Sequence, residues 1–435
     1  MVVLTYFGTR GGKPAGDQSA EAKKKADVFH SKETFALISA IIHDKLATSV
    51  EQAHNDRHNV SNLVRPQRRF WYNRRSDKTL QFTQLNSDAY LLCSFVDKRN
   101  GNLGYPYFRL LTLSRSSRKP QFRCTFAENF TSSSEIYEFC ENHDMPFGAY
   151  VHSCAIPPSI DLDRIGNVHI SDETQTVIIK PTYQVESNTF RYAYTVDYAI
   201  CLPMLYGDFY TATTIVEFVE LNRLIGVDSI TIYSHMISLH ADVQRILQYY
   251  KNEGIVDVVD FQLPLDAKTV WYKGQMLTIN DCLYRHVGFA KYVAFHDLDE
   301  LIIPEEPLLL PEMCNRVFTD NVATMRIPSR YAQRRGKLLS PEAHISVSRI
   351  LQKTRTKCIV RPEFVFEQGI HHTSRVIQDD FVIIPPEQSR QHAIVYHFRA
   401  NQPSTDTVSE DTIEKRYGKQ LRSAVRNVLV TNNLI

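Results

Sequence analysis

The chain has 435 residues, 43% hydrophobic and 23% charged, with a formal net charge of +2. This length exceeds one typical core and predicts two domains of ordinary globular composition. The near-neutral charge removes any global electrostatic case for a nucleic-acid partner.

Residues up to about Asp27 are rich in Gly, Lys and Ala with few large apolar groups, and segment 1–79 reads as partly disordered. Its best apolar run, Phe35 to Ile42, falls far short of the ~18 residues that span a bilayer. The start does not resemble a signal peptide. The cluster Arg65, Arg68, Arg69, Phe70, Trp71, Tyr72, Arg74 and Arg75 is local, and reads as a solvated face or lead-in loop. Two sequons, at Asn59 and Asn129, matter only in a secretory compartment. None of the eight cysteines (Cys93, Cys124, Cys140, Cys154, Cys201, Cys282, Cys314, Cys358) is spaced as CxxC, which argues against a structural zinc site. The even count is compatible with disulfides whose pairing spacing cannot give, and Cys201 and Cys282 read as buried thiols.

From Leu80 to about Thr182–Arg191 the chain predicts a small β-rich domain, taken as 80–185. Ala89–Val96, Tyr107–Leu113 and Phe122–Phe126 read as strands, Asn100-Gly101-Asn102 as a turn, and Ser133–Glu141 as the one helical candidate. Asp161-Leu162-Asp163 follows Pro157-Pro158 without an apolar strand and reads as a solvated loop.

The grammar then changes, and 186–401 predicts a second domain. Tyr194–Leu202 reads as a strand ending at Pro203, Thr213–Ile225 as a helix stopped by Gly226, and Ser229–Tyr233 as a strand. A helix carrying Leu239, Val243, Ile246, Leu247 and Tyr250 ends at Gly254, Ile255–Val259 is the next strand, and Gly274 to Val287 is helical. The Tyr292–Phe295 strand follows, and beyond it 402–435 forms a tail with a helix over Glu410–Leu429. Alternating strands and helices with short connections predict a parallel α/β sheet, which binds ligands at the carboxyl ends of its strands.

At that end stands Asp297-Leu298-Asp299-Glu300. Two carboxylates closing a buried strand repel each other and are costly to desolvate, and a divalent cation removes the penalty. Oxygen ligands suit a hard ion, Mg²⁺ or Mn²⁺, whose usual task there is to hold a diphosphate. Glu300 reads as loop support.

The segment from roughly Tyr198 to Arg399 resembles glycosyltransferase family 92. The resemblance lies in Ala199–Pro203, Glu217-Phe218-Val219-Glu220 with Gly226-Val227, Tyr233, Gly274-Gln275, and Asn280-Asp281-Cys282-Leu283. It continues in Asp297-Leu298-Asp299-Glu300 with Pro304, Lys357 with Arg361-Pro362, and His397-Phe398-Arg399. It implies a GT-A fold: a Rossmann-like, mostly parallel sheet with flanking helices, here preceded by the smaller β-rich domain. It also implies inverting transfer of a hexose, with galactose as the sugar the family points to, from a UDP-sugar to a glycan acceptor, and a Golgi or other secretory-pathway membrane setting. The chain departs from the family pattern in showing no anchoring run.

On that resemblance Asp299 is the expected direct metal ligand, and Asp297 binds the metal or the donor ribose. His397, after the strand Ala393–Tyr396, either supplies a neutral imidazole to the ion or is a hydrogen-bonded structural residue. Arg399, two residues on, faces the diphosphate. Lys357 and Arg361 pair with the diphosphate or only solvate a surface. Gln275, Asn280, Asp281 and Arg285 share the helix before the acidic strand. An Asp281–Arg285 ion pair is the plain reading and a contact from Asp281 to donor hydroxyls the functional one. Inversion needs a general base, and spacing does not choose among Glu363, Glu367, Asp379, Asp380 and His371. A metal-dependent phosphohydrolase and a non-catalytic glycan- or nucleotide-sugar-binding relative are the alternatives.

Overall fold

The structure, a computed structural model, describes residues 80–99, 106–127, 130–185, 194–205, 210–335, 344–399 and 406–435. The Asn59 and Asn129 sequons, the Arg65–Arg75 cluster and the Asn100-Gly101-Asn102 turn lie outside them.

The first half builds two sheets. Ala89–Asp97, Tyr107–Arg115 and Phe147–Ala155 form an antiparallel meander inside a six-stranded sheet. A four-stranded sheet centred on Arg123–Thr125 and Val168–Ser171 covers one face, and the disulfide Cys124–Cys154 links the two sheets. The segment expected to be helical, Ser133–Glu141, is instead the strand Glu135–Glu138, because it pairs in register with Phe147–Ala155 and that tertiary pairing overrides local propensity.

The second half is a mixed α/β sheet of eleven strands. Its parallel core runs in the order Val256–Asp260, Ser229–Ser234, Val196–Leu205, Ala290–Phe295. Helices Ala212–Leu224, Ala241–Glu253 and Gln275–His286 make the crossovers, close to the expected bounds. Gly226 and Gly254 adopt φ of +94° and +77° just past their helices, where a Cβ would be strained. The first strand does not stop at Pro203 as its sequence suggested. It continues to Leu205, with a register shift between Leu202 and Leu205 that accommodates the missing N–H. Beyond Ala290–Phe295 the sheet turns antiparallel through Gln352–Val360. The tail adds the strand Thr407–Glu410 before its helix, which runs over Lys419–Thr431.

The helix Gln275–His286 carries eleven buried residues of twelve. It lies between the parallel sheet and the meander of the first half, and one apolar core contains Phe95, Leu111 and Val151 together with Leu277, Cys282, Val293 and Phe295. Phe95 meets Tyr284 at a ring separation of 4.4 Å, and Tyr284 OH donates to Phe366 O. Residues from Arg69 to Ile435 thereby form one compact unit. Cys201 on the first parallel strand and Cys282 on this helix are bonded as a disulfide, which corrects their reading as free thiols. Among the described residues no helix is long and apolar enough to cross a membrane.

Candidate functional site

The parallel strands occur in the sequence order third, second, first, fourth, so the chain's direction of travel reverses between Val196–Leu205 and Ala290–Phe295. Crevices outside the carboxyl ends of strands at such a reversal are where open α/β sheets bind ligands. Phe295, the last residue of its strand, pairs with Cys201 on one side and Cys358 on the other. The backbone then turns, closed by Glu300 N–H donating to Asp297 O at 3.1 Å. Glu300 opens a new strand, Glu300–Pro304, antiparallel to Ala393–Phe398. In that register Glu300 faces His397, which is how a residue nearly one hundred positions away reaches the acids.

His397 is buried, with Nε2 3.3 Å from Asp299 Oδ2 and Nδ1 3.4 Å from Glu300 Oε1. Arg399 Nε donates to His397 Nε2 at 3.1 Å. A guanidinium only donates, so Nε2 is an acceptor and the imidazole is in its Nδ1–H form. Asp299 is half-exposed and reaches outward beside that lone pair.

Lys357 is buried, and its Nζ lies 2.9 Å from both Asp297 Oδ2 and Glu300 Oε2. Burial alone lowers a lysine, yet the two carboxylates outweigh it and hold Lys357 above its ordinary range. Burial likewise pushes Asp297 up, but the Lys357 charge beside it wins and the carboxyl titrates below its usual range. For Glu300 burial dominates, and its carboxyl sits above the usual range. Glu300 Oε2 also accepts the Asp297 backbone N–H at 2.9 Å, so it supports the turn.

The structure brings Asp297, Asp299, His397, Arg399 and Lys357 together, with His371 near them, and engages Arg361, Asp281, Asn280, Glu363 and Glu367 elsewhere. Lys357 is committed to two carboxylates instead of being a free cation for a diphosphate. Arg361 lies four residues, about 13 Å, farther along the strand direction. There its Nη1 donates to the carbonyls of Thr319 and Asp320, which removes it from the acids. Asp281 is fully buried and accepts from Tyr233 OH at 2.5 Å and Arg285 Nε at 3.0 Å. It faces no cleft, so the donor-hydroxyl reading gives way to the ion pair. Asn280 is equally buried and exchanges hydrogen bonds with the backbone of Gln368. Gln275 is half-buried in the helix's first turn, at the same end of the sheet as the acids.

Among the base candidates, Glu363 is nearly buried and accepts from Tyr194 OH at 2.6 Å. Glu367 is fully buried and accepts from Tyr137 OH and the Cys140 N–H. Both brace the fold. Asp379 and Asp380 are exposed. His371 alone belongs to the neighbourhood: burial, and after it the charge of Lys357, push it down to about 4. Its Nδ1 lies 3.2 Å from Thr356 O, an acceptor only, which leaves Nε2 unprotonated.

A hard or borderline ion fits Asp299 and His397. The Asp299 carboxylate oxygen and His397 Nε2 are held 3.3 Å apart, about the spacing two ligands of one ion require, and an ion there would displace the Arg399 N–H that occupies the Nε2 lone pair in this conformation. The Glu300 carboxylate lies 3.4 Å from Nδ1 without a hydrogen bond to it, so its hold on the ring is electrostatic only. Asp297 does not complete the set in this conformation, since Lys357 holds it. Sequence reasoning missed that pairing. The signal was the lysine's place on the strand next to the acids, which only strand order reveals.

These features can be set beside known proteins. Residues 196–429 match the family model described as Glycosyltransferase family 92. Beta-1,4-galactosyltransferase galt-1 of Caenorhabditis elegans is 35% identical over 361 residues, covering 81% of this chain and 84% of that protein. Galactan beta-1,4-galactosyltransferase GALS3 of Arabidopsis thaliana is 23% identical, over 51% of this chain and 44% of its own length. Among solved structures, glucosyl-3-phosphoglycerate synthase from Mycobacterium tuberculosis covers 55% of this chain at 13% identity and a TM-score of 0.25, a likeness too loose to carry any argument. The family match spans the parallel sheet, the acidic turn and the His397 strand, and the chain belongs to glycosyltransferase family 92, as a glycosyltransferase.

Proposed function

We propose that this glycosyltransferase has the GT-A architecture and moves galactose, with inversion, from UDP-galactose to a glycan acceptor with the help of Mn²⁺ or Mg²⁺. The observation that carries the reading is the acidic turn at the carboxyl end of the fourth parallel strand, at the reversal in strand order, with His397 delivered beside Asp299. The galactosyl part rests on what the two relatives are named. A Golgi or secretory-pathway setting belongs to the same proposal, as does the nucleotide sugar as partner.

In this reading Asp299 and His397 would hold the ion. The bound ion supplies positive charge to the departing diphosphate. Lys357 fixes Asp297 and Glu300 as one rigid, largely neutralised unit, so the turn keeps its shape in a water-poor site. Arg399 would give up its hydrogen bond to His397 Nε2 when the ion binds there and turn its N–H groups to an anionic ligand. His371 Nε2 is the base we assign to the acceptor hydroxyl, being neutral at physiological pH and next to the acids.

The test is a screen of nucleotide sugars with Mn²⁺, reading UDP release and product mass with and without candidate glycans. Glycan-dependent UDP release from UDP-galactose is the expected result. Tight UDP binding without turnover would turn the reading to a non-catalytic relative, and phosphate release from simple phosphoesters would turn it to a hydrolase.

A further inference from the structure

A second group of potential ligands stands outside the acidic turn. Cys140 Sγ, a Glu141 carboxylate oxygen and a His372 ring nitrogen all lie within 4.8 Å of one another. They come from opposite halves of the chain: Cys140 and Glu141 follow the strand Glu135–Glu138, and His372 precedes the strand Thr373–Val376. The approach is built from several sides. Glu141 Oε1 accepts the Ile370 N–H at 3.1 Å and lies 3.8 Å from His372 Nδ1. Ser374 Oγ touches both Cys140 Sγ, at 2.9 Å, and His372 Nε2, at 3.3 Å. A Cβ at Gly369 would sit 2.8 Å from Glu141 Oε1 and 3.0 Å from His372 O, so the loop passes as closely as only glycine permits.

We propose that Cys140, Glu141 and His372 form a Zn²⁺ site that ties the 369–372 loop to the β-rich half. The donor set is one zinc accepts: a thiolate, a carboxylate and an imidazole. Bond lengths of about 2.0–2.3 Å in a tetrahedron place ligand atoms about 3.3–3.6 Å apart, which small side-chain movements reach from here. A thiolate and a carboxylate together balance the ion's charge. Ser374 orients two ligands through its hydroxyl, and the fourth position is open to water because Cys140 is exposed.

Cys140 is also the odd thiol of the chain. Four cysteines are joined in disulfides, and Cys93, Cys314 and Cys358, outside those bonds, are buried whereas Cys140 is exposed. The site's location gives it a purpose. The loop it would hold carries His371, whose Nδ1 meets Thr356 O one residue from Lys357. A staple at His372 would restrain His371 without touching the acidic turn. The inference stands on these side chains alone and does not depend on the sugar donor or on the ion at Asp299.

The experiment uses the full chain stripped of metal and follows alkylation of each cysteine by N-ethylmaleimide, with peptide mass spectrometry. One equivalent of Zn²⁺ should slow modification of Cys140 at least tenfold and EDTA should reverse this. His372→Ala and Glu141→Gln should abolish the protection while leaving the metal-free alkylation rate and melting temperature near those of the parent. Zinc held only at the acidic turn would leave Cys140 unprotected, which overturns the proposal. So would protection that survives His372→Ala, or recovery of Cys140 in a disulfide-linked dimer.

Discussion

At the scale of single residues, the acidic turn divides its charges between two tasks. Asp299 is half-exposed, its carboxylate beside His397 and its carbonyl accepting the Phe398 N–H, a bond that a side-chain change leaves in place. Asp299→Asn should therefore cost little stability, within about 0.5 kcal/mol. Relief of repulsion from Asp297 and Glu300 pushes in the stabilising direction. UDP-sugar turnover should fall by orders of magnitude, and paired activity assays and thermal melts check both parts. His397→Ala should raise the half-saturating Mn²⁺ concentration at least tenfold, because a neutral imidazole ligand is lost. A Mn²⁺ titration with the curve unmoved would assign His397 to the scaffold. Lys357 is the residue whose removal should be most damaging to the fold. Lys357→Met strands the buried Glu300 carboxylate, with Asp297 beside it partly open to water, and should cost about 3 kcal/mol in urea unfolding. Adding Glu300→Gln to it should recover part of that loss, which a lysine acting only on substrate would not predict.

At the scale of elements, the helix Gln275–His286 explains why polar residues crowd a buried position. Its polar groups meet partners from the parallel sheet, from its own next turn and from a separate two-stranded ribbon. Asp281 meets Tyr233 from the parallel sheet and Arg285 from its own next turn, while Asn280 meets the strand Val365–Gln368. Asp281→Ala should accordingly lower stability by about 3 kcal/mol, since it removes the carboxylate that balances the buried Arg285 charge. The KM for the UDP-sugar in the surviving folded fraction should not change. A KM rise at unchanged stability would return Asp281 to the donor site. The same packing accounts for the Cys201–Cys282 bond, which joins the helix to the first parallel strand beneath it.

At the scale of the whole molecule, acid sensitivity is built into the core. His152 is fully buried in the meander against the ring of Phe122, at 4.9 Å, and neither ring nitrogen finds a hydrogen bond. Burial pushes it down to about 3, and burial pushes His296 down to about 4. Both folded values lie below the unfolded one of about 6.5, so the unfolded chain binds protons first as pH falls. The stability these histidines confer is present above pH ~6.5 and is lost on acidification toward their folded values. Each pH unit in that window costs about 1.4 kcal/mol per histidine. Melting temperature should fall steadily between pH 6.5 and 4, and His152→Leu should flatten the slope. An unchanged slope would place the acid sensitivity elsewhere.

The sequence by itself determined the alternation of strands and helices from residue 196 to Phe295 and the family to which the chain belongs. Helical and strand periods, the glycines after helices and the apolar run ending in Asp297 and Asp299 are all local signals, written within a few turns of chain. Tertiary structure alone decided what each polar side chain faces. The strand order put Lys357 against the acids, and the register of Ala393–Phe398 on Glu300–Pro304 put His397 beside Asp299. Contacts with Tyr233 and Arg285 turned Asp281 from a candidate for donor hydroxyls into a buried brace. Pairing with Phe147–Ala155 made a strand of Glu135–Glu138, and a register shift carried a strand past Pro203. All of these depend on contacts between segments far apart in the chain. Burial and pairing there set the energy of each group, and no local pattern encodes which distant segment will supply the partner.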